Sequence, residues 1–268
     1  MKEMILEYVY FLVLLVISLI CFYYVVRVWF SDYRNKGLVS FFVLGIEAGF
    51  YNLFSGILYI SDETAAPLIF TLKLIVICTI PFAFLRFIIN LDDSPLADSK
   101  FIKIVSVAVP VVDIIFLVTN PLHHLYLLSY EDIVSGGVLW GIAGRIHMLA
   151  DYVVVAIDLL ILVAISVRAR KRSKSARGIV FSGYAMLIPF AFNIFFSNIG
   201  FEYDLTSIGV FITLAIFFVA LYKNKLFSYK TALLTSIFDS YHEAIMLCAE
   251  GGVLQDSNKT MKTFFPDF

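Results

Sequence analysis

Seven apolar blocks, each close to the length of a membrane-spanning helix, constrain this chain more than any other feature. They lie at about residues 4–30, 38–60, 67–89, 101–118, 147–168, 178–199 and 205–222. A helix needs about 20 apolar residues to cross the hydrocarbon core of a bilayer, and lipid offers the backbone no hydrogen-bond partners, so each block must be helical. The composition, 61% hydrophobic and 15% charged, excludes soluble, disordered and nucleic-acid-binding classes.

The positions of the positive charges predict the orientation of these spans. If the N-terminus is outside, 15 of the 20 lysines and arginines fall beside the inner ends of the blocks, six of them in residues 168–177. Only Lys2, Lys73 and Arg145 lie towards the outer side, where the loops carry acidic residues. Lysine and arginine favour the cytoplasmic side of a membrane. The sequence therefore predicts an outer N-terminus and a cytoplasmic C-terminal segment after residue 222.

Two segments outside the blocks have patterns of their own. In the outer loop at residues 119–146, two apolar and aromatic runs flank Gly136-Gly137, which predicts a β-hairpin over the outer mouth of the bundle. Residues 223–242 have the spacing of a helix that leaves the membrane and packs against a second copy, which predicts a homodimer.

Residues 243–268 read as a strand, a Gly-Gly turn, a second strand and a helix start capped by Asp256 or Ser257. So short a segment cannot form its own core, and we expect the chain to be cut inside a cytosolic domain.

Polar side chains within the blocks lie mostly in the outer half of the predicted bundle, where they are candidates for ligand binding. They are Glu47, Asn52, Lys73, Asp113, Asp151, Asp158, Asn193 and Ser197. Ionisable groups inside a membrane are costly and normally face the bundle interior or a cavity. Together with Tyr51 and with Trp140 of the outer loop, they predict an outward-facing pocket for a small-molecule or lipid-like ligand. The alternative is structural: Lys73 pairs with Glu47 or an acid of the fifth span, and the other groups join helices.

Patterns for catalysis, metal binding or cofactor binding are incomplete. His242-Glu243 begins the zinc pattern His-Glu-x-x-His, but Met246 occupies its last position. His123 and His124 are adjacent, so their side chains diverge. We expect no catalytic residue, no metal, no cofactor and no nucleic-acid partner. A transporter or channel remains an alternative, although the chain shows no self-similar halves.

Two motifs carry a resemblance to a known family. Asn120-Pro121-Leu122-His123-His124 opens the long outer loop of a chain with seven outside-first spans, and the tail reads Ile237-Phe-Asp-Ser-Tyr-His-Glu, then Gly251-Gly-Val-Leu-Gln-Asp-Ser-Asn258. The chain resembles the N-terminal seven-transmembrane sensor region of bacterial histidine kinases and diguanylate cyclases. Its tail resembles the opening of a PAS domain, with Ala249-Glu250 as a departure before the glycine turn.

The resemblance implies a multi-pass receptor in a bacterial inner membrane, surrounded by membrane lipids. A small molecule would be sensed and the signal relayed through the seventh helix to a kinase or cyclase, as in two-component systems. The expected fold is an all-α membrane protein: a seven-transmembrane helix bundle (residues 1–222) with an extracellular hairpin-like loop, a linker helix (223–242) and a truncated PAS start (243–268).

Overall fold

The computed structural model is mostly helical. It describes residues 2–30, 36–90, 95–129, 138–169, 178, 180–198, 203–223, 237–248 and 254–265. The longer helices are α1 (Lys2–Trp29), α2 (Lys36–Ile60), α3 (Ala66–Ile77), α4 (Ile80–Asn90), α5 (Lys100–Val118), α7 (Ile142–Ala169), α8 (Leu187–Asn198) and α9 (Thr206–Lys223). The short helices α6 (Asn120–His123) and α10 (Lys259–Phe264) and the strands β1 (Met246–Cys248) and β2 (Leu254–Ser257) complete the labelled elements.

Five helices in the described part of the chain are long and apolar enough to cross a membrane. They are Ile5–Trp29, Lys36–Ile60, Ala66–Asn90, Lys100–Val118 and Ile142–Arg168. Two shorter apolar helices, Val180–Phe195 and Thr206–Tyr222, coincide with the sixth and seventh predicted blocks. The fifth block was predicted to start at residue 147, but α7 begins earlier, at Ile142. The apolar pattern therefore located the helices better than it located their ends.

The third span is interrupted between α3 and α4. Pro81 has no N–H to donate to the carbonyl four residues earlier, which weakens the helical ladder at this point. Next to this point, the hydroxyl and the N–H of Thr79 both donate to the carbonyl of Val76, at 2.8 and 3.1 Å. The sixth block is also not one continuous α-helix, since Gly183–Met186 forms a 3-10 turn before α8. Both spans thus change their backbone geometry inside the apolar region.

Helix α2 lies at the centre of the core and packs against α1, α3, α4 and α9. Gly49 permits the close approach of α1, because a Cβ at this position would lie 2.6 Å from Phe22. The hydroxyl of Ser18 in α1 donates to the carbonyl of Gly49 at 2.9 Å. Small residues allow membrane helices to approach in this way. The N-terminal half of α2 also holds fully buried Phe41, so one side of this helix is apolar and tightly packed.

The outer loop forms antiparallel pairing that agrees with the predicted hairpin. Leu127 bridges to Trp140, and the N–H of Leu128 donates to the carbonyl of Leu139 at 2.8 Å. The predicted turn at Gly136-Gly137 lies outside the described residues. The side chain of Asn120 holds the first arm by accepting from the N–H groups of Tyr126 and Leu127 at 2.8 and 3.0 Å. Asn120, singled out in the sequence as part of a loop motif, is thus a structural support of this loop.

The C-terminal segment contains the predicted strand, strand and helix. Strands β1 and β2 are antiparallel, and α10 follows them. The predicted cap of this helix was wrong: Asn258, not Asp256 or Ser257, accepts from the N–H of Met261 at 2.9 Å. Asn258 lies immediately before α10 in an extended conformation, whereas the other two residues belong to β2. The Gly251-Gly252 turn and most of the predicted linker helix lie outside the described residues.

Candidate functional site

A buried ion pair joins the third span to the residues just before α9. The Nζ of Lys73 lies 2.7 Å from Oδ2 of Asp204, and the hydroxyl of Tyr51 donates to the same oxygen at 3.0 Å. The Lys73 ammonium also lies 5.6 Å from the centre of the Tyr51 ring, a cation–π distance. We call Lys73, Asp204 and Tyr51 the outer latch. It connects α3 and α2 to the start of α9.

The prediction that Lys73 is charge-paired is confirmed, but both predicted partners were wrong. Lys73 lies about 10 Å below the outer start of α3, whereas Glu47 lies about 20 Å below the outer end of α2. The two side chains therefore stand at different depths. Of the two acids of α7, Asp151 contacts His147 instead, and Asp158 has no partner among the described residues. Asp204 precedes α9 by two residues and had been counted as an outer-loop charge, outside the membrane.

Three further tyrosines surround the outer latch. The hydroxyl of Tyr10 donates to the backbone carbonyl of Asp204 at 2.6 Å, and the hydroxyl of Tyr59 accepts from its N–H at 2.9 Å. The rings of Tyr10, Tyr59 and Tyr203 contact one another, with centroids 4.8–5.3 Å apart. Tyr10 belongs to α1, so the latch draws contacts from α1, α2 and α3 onto one residue beside α9.

The electrostatics favour an ionised carboxylate at Asp204. Burial by itself would raise the pKa of this carboxyl, but the Lys73 ammonium and hydrogen bonds from Lys73, Thr206 and Tyr51 outweigh it and hold the pKa below its usual value. The N–H of Thr206 donates to Oδ1 at 3.0 Å, which also caps the beginning of α9. The side chain of Asp204 is 24% exposed and that of Lys73 only 8%. The acid thus stands at the mouth of the site, with the lysine beneath it.

Helix α2 contributes two polar side chains beside the latch that are wholly buried. Asn52 donates through Nδ2 to the carbonyl of Ala48 at 2.8 Å, but its Oδ1 has no hydrogen-bond partner in the described part of the chain. The hydroxyl of Ser55 likewise lacks a partner among those residues. Buried polar groups are nearly always hydrogen-bonded in native proteins, so these two atoms call for an explanation.

A second polar cluster joins α5 to α7. His147 is buried, with its Nδ1 3.1 Å from Oδ2 of Asp113 and its Nε2 3.3 Å from Oδ2 of Asp151. The ring of Tyr126 from the outer loop packs against the imidazole at 5.7 Å between centroids, and its hydroxyl lies 3.4 Å from Sγ of Cys78. We call Asp113, His147 and Asp151 the aspartate–histidine bridge. It lies beneath the paired arms of the outer loop and beside the break in the third span.

The remaining sequence candidates belong to neither cluster. Asp158 is wholly buried, and neither of its carboxylate oxygens has a partner among the described residues. Glu47 lies against the Thr79 side chain at the break in the third span. Trp140 forms the loop bridge and packs edge-on against Tyr126 at 6.1 Å. Asn193 is exposed and accepts from the hydroxyl of Tyr152 at 3.3 Å. The side chain of Ser197 lies outside the described part.

Sequence reasoning missed Asp204, Tyr10, Tyr59 and His147 as members of these clusters. Asp204 carried one usable signal, since an acid immediately before a predicted helix, here the block at 205–222, is a typical cap. His147 carried another, because it precedes Asp151 by four residues and so shares its helix face. No local signal identified Tyr10 or Tyr59. Within the described ranges, no group of three or more His, Cys, Asp or Glu side chains has the arrangement of a metal site.

The long apolar helices and the polar clusters between them define a multi-pass helical membrane protein with a buried ion pair beside the beginning of α9. A comparison with known families identifies the group. Residues 13–230 match the family model of the N-terminal 7TM region of histidine kinases, and the chain belongs to this family. No curated protein and no solved structure has significant similarity to the chain. The family match confirms the resemblance for the sensor region, which is a non-catalytic input region of a kinase.

Proposed function

We propose that residues 1–222 bind a small molecule in the outer half of the bundle and relay the signal through α9 to a cytosolic output domain. The outer latch is the observation that carries this proposal. Contacts from α1, α2 and α3 converge on Asp204, which lies two residues before α9. A ligand that alters these contacts would act on the helix that leads to the cytosolic segment.

The relay requires two arrangements of α9 between which the ligand discriminates. A ligand shifts such an equilibrium only by its difference in affinity for the two states. The latch-closed state has Asp204 bound to Lys73 and Tyr51, and the second state has these contacts broken. Because the latch includes a buried ammonium, any group that replaces Asp204 must satisfy that charge. The latch therefore gives the ligand a direct means of favouring one state.

We further propose that the output domain is that of a histidine kinase and that residues 243–268 begin a PAS domain between the membrane region and the kinase. Support comes from the family match and from the β1–β2 hairpin followed by a capped helix. A homodimer that packs through residues 223–242 would carry the motion of α9 to the output domain. The transporter alternative is favoured by one observation, the broken third span, whereas the family match over residues 13–230 favours the input module.

An output measurement tests the relay. In a histidine kinase that carries this region, Asp204→Asn should change basal autophosphorylation by about fivefold or more, because it weakens the latch that selects between the two states. The matched control is Asp62→Asn, the same change at an exposed residue whose side chain accepts, within the described ranges, from the N–H groups of Thr64 and Ala65. Equal activity of the two folded variants would show that the latch is not part of the relay.

Reporter fusions test the proposed orientation. A reporter of cytoplasmic location fused after residue 230, or inserted in residues 169–177, should be active, because the positive charges concentrate on that side. A reporter in the outer loop near residue 134 should be inactive. Cytoplasmic activity at residue 134, or its absence at residue 230, would contradict this topology.

A further inference from the structure

Two wholly buried polar side chains of α2, the helix that carries Tyr51 of the outer latch, have atoms without partners among the residues that the structure describes. Ser55 and Asn52 have an exposed fraction of 0%, and the unpartnered atoms are Oγ of Ser55 and Oδ1 of Asn52. Within the same helix the hydroxyl of Ser40 donates to the carbonyl of Lys36 at 3.0 Å, and that of Ser61, just after the end of α2, donates to the carbonyl of Ile57 at 2.7 Å. A membrane helix can thus satisfy a serine on its own backbone, and Ser55 does not do so. These atoms are positioned to bind something that enters the bundle.

The position of Ser55 places the unpartnered atoms within the latch region. Tyr51, Ser55 and Tyr59 follow one another at intervals of four residues, so they lie on one face of α2. Tyr51 and Tyr59 both hydrogen-bond to Asp204, through its carboxylate and its N–H respectively. Ser55 stands between them on this stripe, and Asn52, three residues before Ser55, lies on the adjoining part of the helix surface. The two unpartnered atoms and the ion pair therefore belong to one region of the outer half.

The charges of the latch indicate which ligand this region can accept. Lys73 has three N–H donors, of which one is used by Asp204 in the described part of the chain. Asp204 lies at the mouth and can turn towards water, whereas Lys73 lies deeper and needs an anion beside it. An anionic ligand can replace Asp204 on Lys73 and leave both charges satisfied. A cationic ligand would take Asp204 away and leave the ammonium without a counter-ion.

We propose that Lys73, Ser55 and Asn52 form a subsite for an anionic group, a carboxylate or a phosphate, that has a hydrogen-bond donor next to it; this assignment rests on the proposed function. The anion binds the Lys73 ammonium and accepts from the Ser55 hydroxyl, while the adjacent ligand donor binds Oδ1 of Asn52. Asp204 is thereby released from Lys73, which frees the outer end of α9. The same chemistry is available from a free hydroxy acid and from a lipid head group.

Thermal unfolding of the purified protein in nanodiscs tests the subsite and separates the two sources. In phosphatidylcholine nanodiscs, lactate should raise the melting temperature saturably, and neutral lactamide should not. If the source is a lipid, phosphatidylglycerol nanodiscs should give the rise without lactate. Ser55→Ala should weaken binding of the charged probe that stabilises the wild type by about tenfold or more, the effect of losing one hydrogen bond to a charged group. Asn52→Leu should also weaken binding of this probe, whereas Ser61→Ala should bind it as tightly as the wild type does.

Ser55→Ala removes a hydroxyl that has no partner in the described part of the chain, so the fold should not lose stability. The subsite is wrong if neither lactate nor phosphatidylglycerol stabilises the wild type, if lactamide acts as well as lactate, or if Ser55→Ala and Ser61→Ala bind alike. These failures are distinguishable from failure of the relay. If the probes do not bind but Asp204→Asn still changes kinase activity, the subsite alone is wrong. If a probe binds but Asp204→Asn leaves kinase activity unchanged, the relay is wrong.

Discussion

Replacing Lys73 by methionine should destabilise the protein by about 3 kcal/mol, the lower part of the range for breaking a buried ion pair from one side. Methionine keeps the apolar length of the side chain but leaves Asp204 without its cation. The lower part of the range applies because Asp204 is partly exposed and keeps its bonds to Tyr51 and Thr206. Thermal or denaturant unfolding in a mild detergent measures the effect.

The control for this prediction is the same substitution in an exposed ion pair. Lys36 lies 2.9 Å from Asp98, and both side chains are more than half exposed, so Lys36→Met should leave the melting temperature nearly unchanged. Combining Lys73→Met with Asp204→Asn should restore part of the lost stability, because the acid then no longer needs a cation. A Lys73→Met variant as stable as Lys36→Met would contradict the pairing.

The pH dependence of the same variants gives an independent check. Because the pKa of Asp204 is lowered in the folded protein, its ion pair stabilises the fold at neutral pH. This contribution is lost as the pH falls from about 4, the usual pKa of an aspartate, through the lowered pKa. The difference in stability between the wild type and Lys73→Met should therefore shrink on acidification. A difference that stays constant into that range would point to packing of the lysine side chain instead of its charge.

Inserting one residue between Lys225 and Thr231 should lock the output of a full-length kinase in a high or a low state. One residue rotates everything downstream by about 100°, which misaligns the apolar stripe through which two copies would pack. Seven inserted residues add nearly two full turns and should largely restore regulation. The test compares the autophosphorylation of both variants with and without the activating condition. The insertion point lies outside the described residues, and the expectation rests on the spacing of Leu226, Leu233 and Ile237.

The insertion series also distinguishes a rotating or sliding helix from a passive connection. In a passive tether, activity would decline smoothly with inserted length and would not return with seven residues. A third variant with four inserted residues brings the stripe close to its original phase, about 40° away, and should be closer to wild type than the variant with one. Recovery that follows the phase of the helix would support the relay through α9, and recovery that ignores phase would contradict it.

The sequence determined the helices and the need for buried charge compensation, because both follow from local chemistry. A block of about 20 apolar residues becomes a helix in lipid whatever surrounds it, and a lysine inside such a block requires a counter-ion. The pairing across the outer loop was likewise predictable from the two apolar runs around a glycine turn. Even the interruption of the third span had a local cause, since Pro81 lacks a backbone donor.

Only the tertiary structure decided which groups meet. Lys73 and Asp204 are 131 positions apart in the chain. They meet because they lie at the same depth in the packed bundle, which the division of the sequence into apolar blocks does not show. The same holds for α7, where Asp151 and Asp158 share a face but only Asp151 reaches His147. Asp158 lies about 10 Å further along the helix, and its carboxylate has no partner in the described part of the chain. Periodicity gives the face of a helix, whereas contacts between faces depend on the depth and rotation of each helix against its neighbours.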